Sequence, residues 1–228
     1  MTMGEKSLHD SVKLWYSREG DEIEKEVDGY VVDVVRGDLL IEVQTANFSA
    51  IRDKLRRLVR AHPVRLVHPI SERKWIVRVD GDGETVLSRR RSPKRGRVED
   101  VFYELVYMPD LLAEENMSLE VLLVHSEDVF IDDGRGSWRR RRWSIHDRRL
   151  LDIVDQATFN GPEDLLDLVP GDLPEKFTSR ELAEALSLRP AAAQKMTYCL
   201  RKMGVLREAG RRGRALQYLN PRSQNQAI

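Results

Sequence analysis

A chain of 228 residues, 41% apolar and 33% charged, is long enough to bury one large or two smaller cores. It contains no apolar run near the ~18 residues of a membrane-spanning helix, and its charged start, Met1 to Asp10, lacks the apolar stretch of a secretory signal. One cysteine, Cys199, excludes an internal disulfide and a cysteine-rich zinc site. Together these features predict a cytoplasmic protein with no membrane partner. The formal net charge is zero but unevenly spread. Residues 174–222 hold eleven Lys/Arg against four acids, a balance of +7 that the remainder offsets. A basic end on a neutral chain points to a polyanion partner there.

In chain order, Leu8, Val12 and Trp15 recur at helical spacing and predict a helix over 7–16, closed by Gly20. Residues 22–27, 30–36 and 39–45 read as three strands. Ser49 is placed to cap a helix that runs to Ala61, with Ile51, Leu55, Leu58 and Val59 inward and His62-Pro63 as its stop. Two short strands follow at 64–67 and 75–79. Residues 88–97 hold six Lys/Arg with Pro93 and Gly96 and read as a basic loop. A helix is predicted over 98–112 and strands over 119–124 and 129–131. The run Trp138 to Trp143 reads as a basic strand or loop, and Arg148 to Gln156 as a linking helix.

The hairpin between the second and third strands holds the main chemical signal. Gly37-Asp38 separates two β-branched runs, with Gly at the first central position, which is the type II′ turn of a two-residue loop. That turn pairs Arg36 with Leu39, and counting back sets Asp33 opposite Glu42. Residues directly opposite share a face, and Gln44 lies on it too. Two carboxylates and an amide then stand beside Val31, Val35 and Leu40. Like charges that close repel, so a hard divalent ion such as Mg²⁺ (or Mn²⁺) fits between them. The plainer reading makes Asp33 and Glu42 the polar face of a half-exposed hairpin. The five histidines, His9, His62, His68, His125 and His146, show no metal-ligand spacing. The basic runs Arg89–Arg91 and Arg139–Arg142 suit a phosphate backbone, with Trp138 or Trp143 to stack on a base. They suit equally well ion pairs with the acidic remainder.

The C-terminal third is more regular. Thr178-Ser-Arg-Glu181 is a capping box that opens a helix through Leu186. Pro190 starts the next helix and Gly204 stops it. Residues 205–208 and 215–219 form a hairpin around Arg211-Arg212-Gly213-Arg214. Helix, turn, helix and basic hairpin resemble the winged helix-turn-helix arrangement. The resemblance implies a recognition helix over 190–203 whose Arg189, Gln194 and Lys195 face DNA bases. Arg211, Arg212 and Arg214 of the wing would meet phosphate or the minor groove. Tyr198, Leu200 and Met203 read as core.

At Asp33, Glu42 and Gln44 the pattern resembles the PD-(D/E)XK nuclease superfamily, whose core order of helix, three strands, helix, strand matches residues 7–67. In that family an Asp on the second strand and an acid-x-Lys motif on the third bind metal and act on phosphodiesters. Asp33 and Glu42 match the two acids. Gln44 stands where Lys is usual, and Lys54 on the following helix is a candidate for a migrated Lys. Glu5 is the nearest match to the family's first-helix Glu. The resemblance implies Mg²⁺ held by Asp33, Glu42 and the Val43 carbonyl, with Gln44 or Lys54 orienting water or phosphate.

The expected architecture is α/β, a restriction-endonuclease-like mixed sheet flanked by helices over 1–147 and a winged helix over 148–228. The expected function is metal-dependent endonucleolytic cleavage of DNA. The alternative is a non-catalytic DNA-binding protein or regulator with an inactive nuclease fold. Cutting both strands of a duplex favours a homodimer.

Overall fold

The structure, a computed structural model, describes residues 3–83, 85–133 and 143–222, with side chains from Leu8 onward. In chain order the elements are α1 (Met3–Tyr16), β1 (Glu22–Val27), β2 (Tyr30–Arg36), β3 (Leu39–Val43), α2 (Arg52–Leu58), β4 (Val64–Val79), β5 (Val86–Arg91), α3 (Phe102–Leu105), β6 (Met117–Asp132) and β7 (Trp143–Phe159). There follow α4 (Pro162–Leu166), β8 (Lys176–Thr178), α5 (Ser179–Ala185), α6 (Pro190–Lys202), β9 (Glu208–Arg212) and β10 (Ala215–Leu219). The protein is mixed α/β. A seven-stranded sheet runs β1-β2-β3-β4-β6-β7, with β5 also paired to β4, and a three-stranded sheet runs β8-β10-β9.

Two compact units interleave along the chain. The first comprises Met1–Ala46, Arg65–Val98 and Glu120–Ala157, and the second Asn47–Val64, Glu99–Leu119 and Thr158–Ile228. The boundary expected between residues 147 and 148 falls inside β7, a continuous strand of 17 residues.

In the first unit, α1 buries Leu8, Val12 and Tyr16 against Val34, Ile41 and Val43 of the β2–β3 hairpin, Val67 of β4, and Leu122 and Val124 of β6. Those helix residues are one turn apart and share a stripe. Trp15, expected on that stripe, is 51% exposed, and Tyr16 takes its place. The Tyr16 hydroxyl donates to Glu120 Oε2 at 2.6 Å, and Arg65 Nη1 donates to the Tyr16 oxygen at 3.3 Å. Burial pushes the Tyr16 phenol above its usual range. Arg36 lies over the Tyr16 ring and donates to both carboxylate oxygens of Asp21, at 3.0 and 2.8 Å. That guanidinium holds the Asp21 carboxyl below the usual carboxylate range.

Several sequence expectations are corrected here. The segments 64–67 and 75–79 belong to one strand, as do 119–124 and 129–131. The polar residues between the apolar runs pair across strands: Ser71 with Ser126 at 2.7 Å, Glu72 with His125 at 3.0 Å, and Lys74 with Asp128 at 3.0 Å. Such pairs satisfy polar groups within a sheet, so the ladder continues where hydrophobic periodicity lapses. The basic loop is strand β5 in its first half, and the linking helix is part of β7. Leu150 and Ile153, three apart, imitate a helical face, yet both pack on the first unit's core from a strand.

In the second unit, Phe48, Leu55, Leu58, Phe102 and Leu105 are buried. The Phe48 N–H donates to Glu104 Oε2 at 3.1 Å, and Arg56 pairs with Asp110 at 2.7 Å. Ser49 does not cap α2. Its hydroxyl donates to Asn47 Oδ1, and α2 starts at Arg52 after a 3₁₀ turn over Phe48–Ala50. The helix expected over 98–112 is α3 with 3₁₀ turns on either side. The capping box is present: Thr178 Oγ1 accepts from Glu181 N, and Glu181 Oε2 accepts from Thr178 N at 2.8 Å. Phe177 packs on Tyr218 across β8 and β10, and buried Asn220 donates to the carbonyls of Gly171 and Leu173.

Candidate metal centre and nucleic-acid interface

The hairpin turns as the sequence predicts. Gly37 has φ +58° and Asp38 stays out of the left-handed region, as a II′ turn requires. Arg36 pairs with Leu39, Val35 with Leu40 and Val34 with Ile41. The ladder stops at Val34 and Ile41, one step short of Asp33 and Glu42. Past that point Asp33 Oδ2 accepts the Val43 N–H at 2.8 Å. The carboxylate thus reaches the backbone immediately after Glu42, at the end of β3. The Asp33 side chain is 17% exposed and Glu42 only 4%.

One neighbour left no mark in the sequence. His9 of α1 places Nε2 3.1 Å from Asp33 Oδ2 and Nδ1 3.2 Å from Asp10 Oδ1. The hydrogen bond to Asp33 lifts the His9 pKa above its ordinary value, against a smaller opposing effect of burial. His9 is not on the apolar stripe of α1, and only the packing of α1 on the hairpin brings it to a residue 24 positions away. His68 was missed too. Its Nδ1 lies 2.6 Å from the Gln44 carbonyl, where the Gln44 N–H also meets the Val67 carbonyl at 2.9 Å.

The other expected site residues fall on other elements or turn to other partners. The Gln44 side-chain amide donates to the Ala46 carbonyl, turning back on its own loop. Lys54 is on α2, in the second unit, whereas Asp33, Glu42 and Gln44 belong to the first. Glu5 is in α1, one turn before His9. Among the described residues, no three His, Cys, Asp or Glu side chains are grouped to hold a metal ion. The oxygen groups at the hairpin that could serve a divalent ion are those of Asp33, Glu42 and the Val43 carbonyl. Two carboxylates and a carbonyl are hard oxygen ligands that fit Mg²⁺, which keeps several waters.

In the second unit, Arg189 is the exposed N-cap of α6 and Gln194 is exposed in its second turn. Lys195 is half-buried, with Nζ 5.6 Å from the Tyr103 ring centroid on α3. Its charge is therefore directed at an aromatic ring of its own chain. Tyr198, expected in the core, is 36% exposed, with Arg201 and Lys202 against its ring. Leu200 and Met203 are buried as expected. Gln194, Tyr198 and Lys202 thus form an open stripe at four-residue spacing. In the β9–β10 hairpin, Arg211 and Arg214 are exposed, while Arg212 donates to both carboxylate oxygens of Glu181 at 3.0 and 2.8 Å. That bond ties the hairpin to the start of α5. A shallow cleft of about 640 Å³ lies between α5 and α6, lined by Arg180, Glu184, Pro190 and Gln194 among others. Trp138 and Arg139–Arg142 lie outside the described residues.

The first unit is a mixed sheet carrying a helix and an acidic hairpin, and the second a small helical unit with a basic hairpin. The chain belongs to a family described as "Domain of unknown function (DUF8091)", whose pattern spans residues 6–160 and so takes in Asp33, Glu42 and β5. It is similar to an uncharacterized protein of Treponema pallidum (strain Nichols), 34% identical over 184 residues, which are 80% of this chain and 73% of that one. No solved structure matches the chain. No helix among the described residues is long and apolar enough to cross a membrane.

Proposed function

We propose that this chain is a metal-dependent DNA endonuclease of the PD-(D/E)XK type that holds duplex DNA with a C-terminal winged helix. The observation that carries the reading is the β2–β3 hairpin, in which the Asp33 carboxylate rests on the amide of Val43, the residue after Glu42. The preceding helix, the three strands and the helix after them follow the order of a restriction-endonuclease-like core. The winged-helix reading is supported by the order α4, β8, α5, α6, β9, β10 and by the sheet order β8-β10-β9.

Asp33, Glu42 and the Val43 carbonyl would hold Mg²⁺ or Mn²⁺. When bound, the ion supplies positive charge beside the scissile phosphate. The protein's own groups do the rest. The Val43 N–H and His9 fix the rotamer of Asp33. Arg189, Gln194, Arg211 and Arg214 present exposed donors to the duplex. Two such chains as a homodimer would cut both strands.

A second reading, a DNA-binding protein without hydrolytic activity, is favoured by one observation. The side chain in the family's Lys position, Gln44, is spent on the Ala46 carbonyl. Cleavage of plasmid and branched DNA with Mg²⁺ or Mn²⁺ separates the two, comparing wild type with Asp33→Asn and Glu42→Gln. Activity that needs the ion and both acids supports the nuclease. DNA binding without cleavage under every condition leaves the second reading, and no binding at all removes both.

A further inference from the structure

Strand β5 and the segment after it carry a charge pattern that the hairpin site does not use. From Thr85 to Arg97 there are six Lys/Arg and no acid. Every residue of β5 is exposed. The strand pairs antiparallel with β4, setting Trp75 against Arg91, Ile76 against Arg90, Val77 against Arg89 and Arg78 against Ser88. Opposite residues share a face. One face of this ribbon of β5 on the sheet edge therefore carries Trp75, Arg89 and Arg91, and the other carries Ile76, Arg78 and Arg90.

Some of these cations are neutralised. Arg89 bonds Glu127 at 2.6 Å and covers the Trp75 ring, and Lys74 bonds Asp128. Others are not. Arg78 lies over the Trp143 ring, 5.0 Å from its centroid, and no described carboxylate pairs with Arg78, Arg90 or Arg91. Adjacent like charges on a sheet repel, and among the described residues no anion offsets these cations. The chain beyond β5 is also pinned in place. The Ser92 N–H donates to the Lys74 carbonyl at 2.8 Å and the Gly96 N–H to the Ser71 carbonyl at 2.9 Å. A Cβ at position 96 would lie 2.5 Å from the Ser71 oxygen, so glycine is needed for this close approach. Arg89 to Arg97 thus lie along β4 as a fixed line of positive charge.

We propose that the β4–β5 ribbon is a second duplex-DNA contact surface, in a unit separate from the β9–β10 hairpin, through Arg78, Arg90 and Arg91. The inference rests on the DNA-binding reading above and adds the surface in the first unit that meets the phosphates. β5 is an edge strand of the large sheet, and arginines on both of its faces can reach phosphates of a duplex laid along that edge. Charges on an edge strand also discourage pairing with other chains. That role is served by charge of either sign, whereas here all six are cations.

The test uses the full chain and a labelled duplex of mixed sequence, with fluorescence anisotropy read over a range of salt. One variant is Arg78→Gln/Arg90→Gln/Arg91→Gln and the other Arg211→Gln/Arg214→Gln. All five residues are exposed, and far-UV circular dichroism and the thermal midpoint check folding. The expected result is that the ribbon variant loses about 2–3 from the slope of log K against log salt, near 0.9 per phosphate contact, and that the hairpin variant loses a separate increment. An unchanged slope in the ribbon variant, with binding lost in the hairpin variant, overturns this inference and leaves the DNA-binding reading standing. Wild type that ignores the duplex overturns both, and binding to phosphatidylserine vesicles in its place would assign the ribbon to anionic lipid.

Discussion

Replacing Asp33 separates the structural role of its carboxylate from the metal-ligand role proposed for it. Oδ2 accepts the Val43 N–H at 2.8 Å and meets His9 Nε2 at 3.1 Å, and Val43 is 1% exposed. Asp33→Ala removes the acceptor from a buried N–H, at about 1–3 kcal/mol. It also removes the anion beside His9. Those side chains are 27% and 17% exposed, so solvent screening holds that part to about 1 kcal/mol. The expected loss is about 2–4 kcal/mol, or about 1–2 M in the urea midpoint for a slope near 2 kcal/mol/M. Asp33→Asn keeps an oxygen for the Val43 N–H and should cost about 1 kcal/mol. In a plasmid-cleavage assay both variants should fall together, by about a hundredfold or more, which is about 2.7 kcal/mol of barrier. Asp33→Asn with activity within a few-fold of wild type would refute the metal-ligand role. Asp33→Ala as stable as wild type would refute the bond to Val43.

Gly96→Ala should force the Ser71 carbonyl and the new methyl apart and lift the basic segment from β4, costing about 1–3 kcal/mol. Faster amide exchange at Ser92 and Gly96 would report the release, and unchanged protection would contradict it. Thr178→Ala removes the cap of α5 and should cost about 1 kcal/mol in thermal or urea unfolding. No measurable change would show that the capping box is dispensable. Asp21 sets an acid dependence. Its folded pKa is depressed by Arg36, so the pair stabilises the fold above the unfolded carboxylate value of about 3.9, and that contribution is lost as pH falls through the folded value. Arg36→Gln should flatten this part of the stability-against-pH curve below about pH 4, and an unaltered curve would place the acid transition elsewhere.

The hairpin turn was legible because its information is local. Two residues of turn chemistry at Gly37-Asp38 set the register, and register sets which side chains face one another. His9, His68 and Tyr198 left no such mark. Each owes its position to an element packed from elsewhere, or, for Tyr198, to a helix face left open rather than covered. Lys195 was assigned to DNA from its place early in α6, and only the packing of α3 shows its charge on Tyr103.

By itself, the chain's order of residues determined the elements whose signals are short-range. These are the II′ hairpin, the capping box at Thr178 and Glu181, the start of α6 at Pro190 and the basic character of residues 174–222. Tertiary structure alone decided that β4 and β6 run unbroken through polar segments, that residues 148–156 form a strand and that Arg89–Arg91 belong to one. The reason is that a strand's hydrogen bonds lie in its neighbours. A polar or helix-like stretch becomes sheet when partners such as Ser126, His125 and Asp128 stand opposite to receive it, and no window of the sequence contains both sides of that ladder.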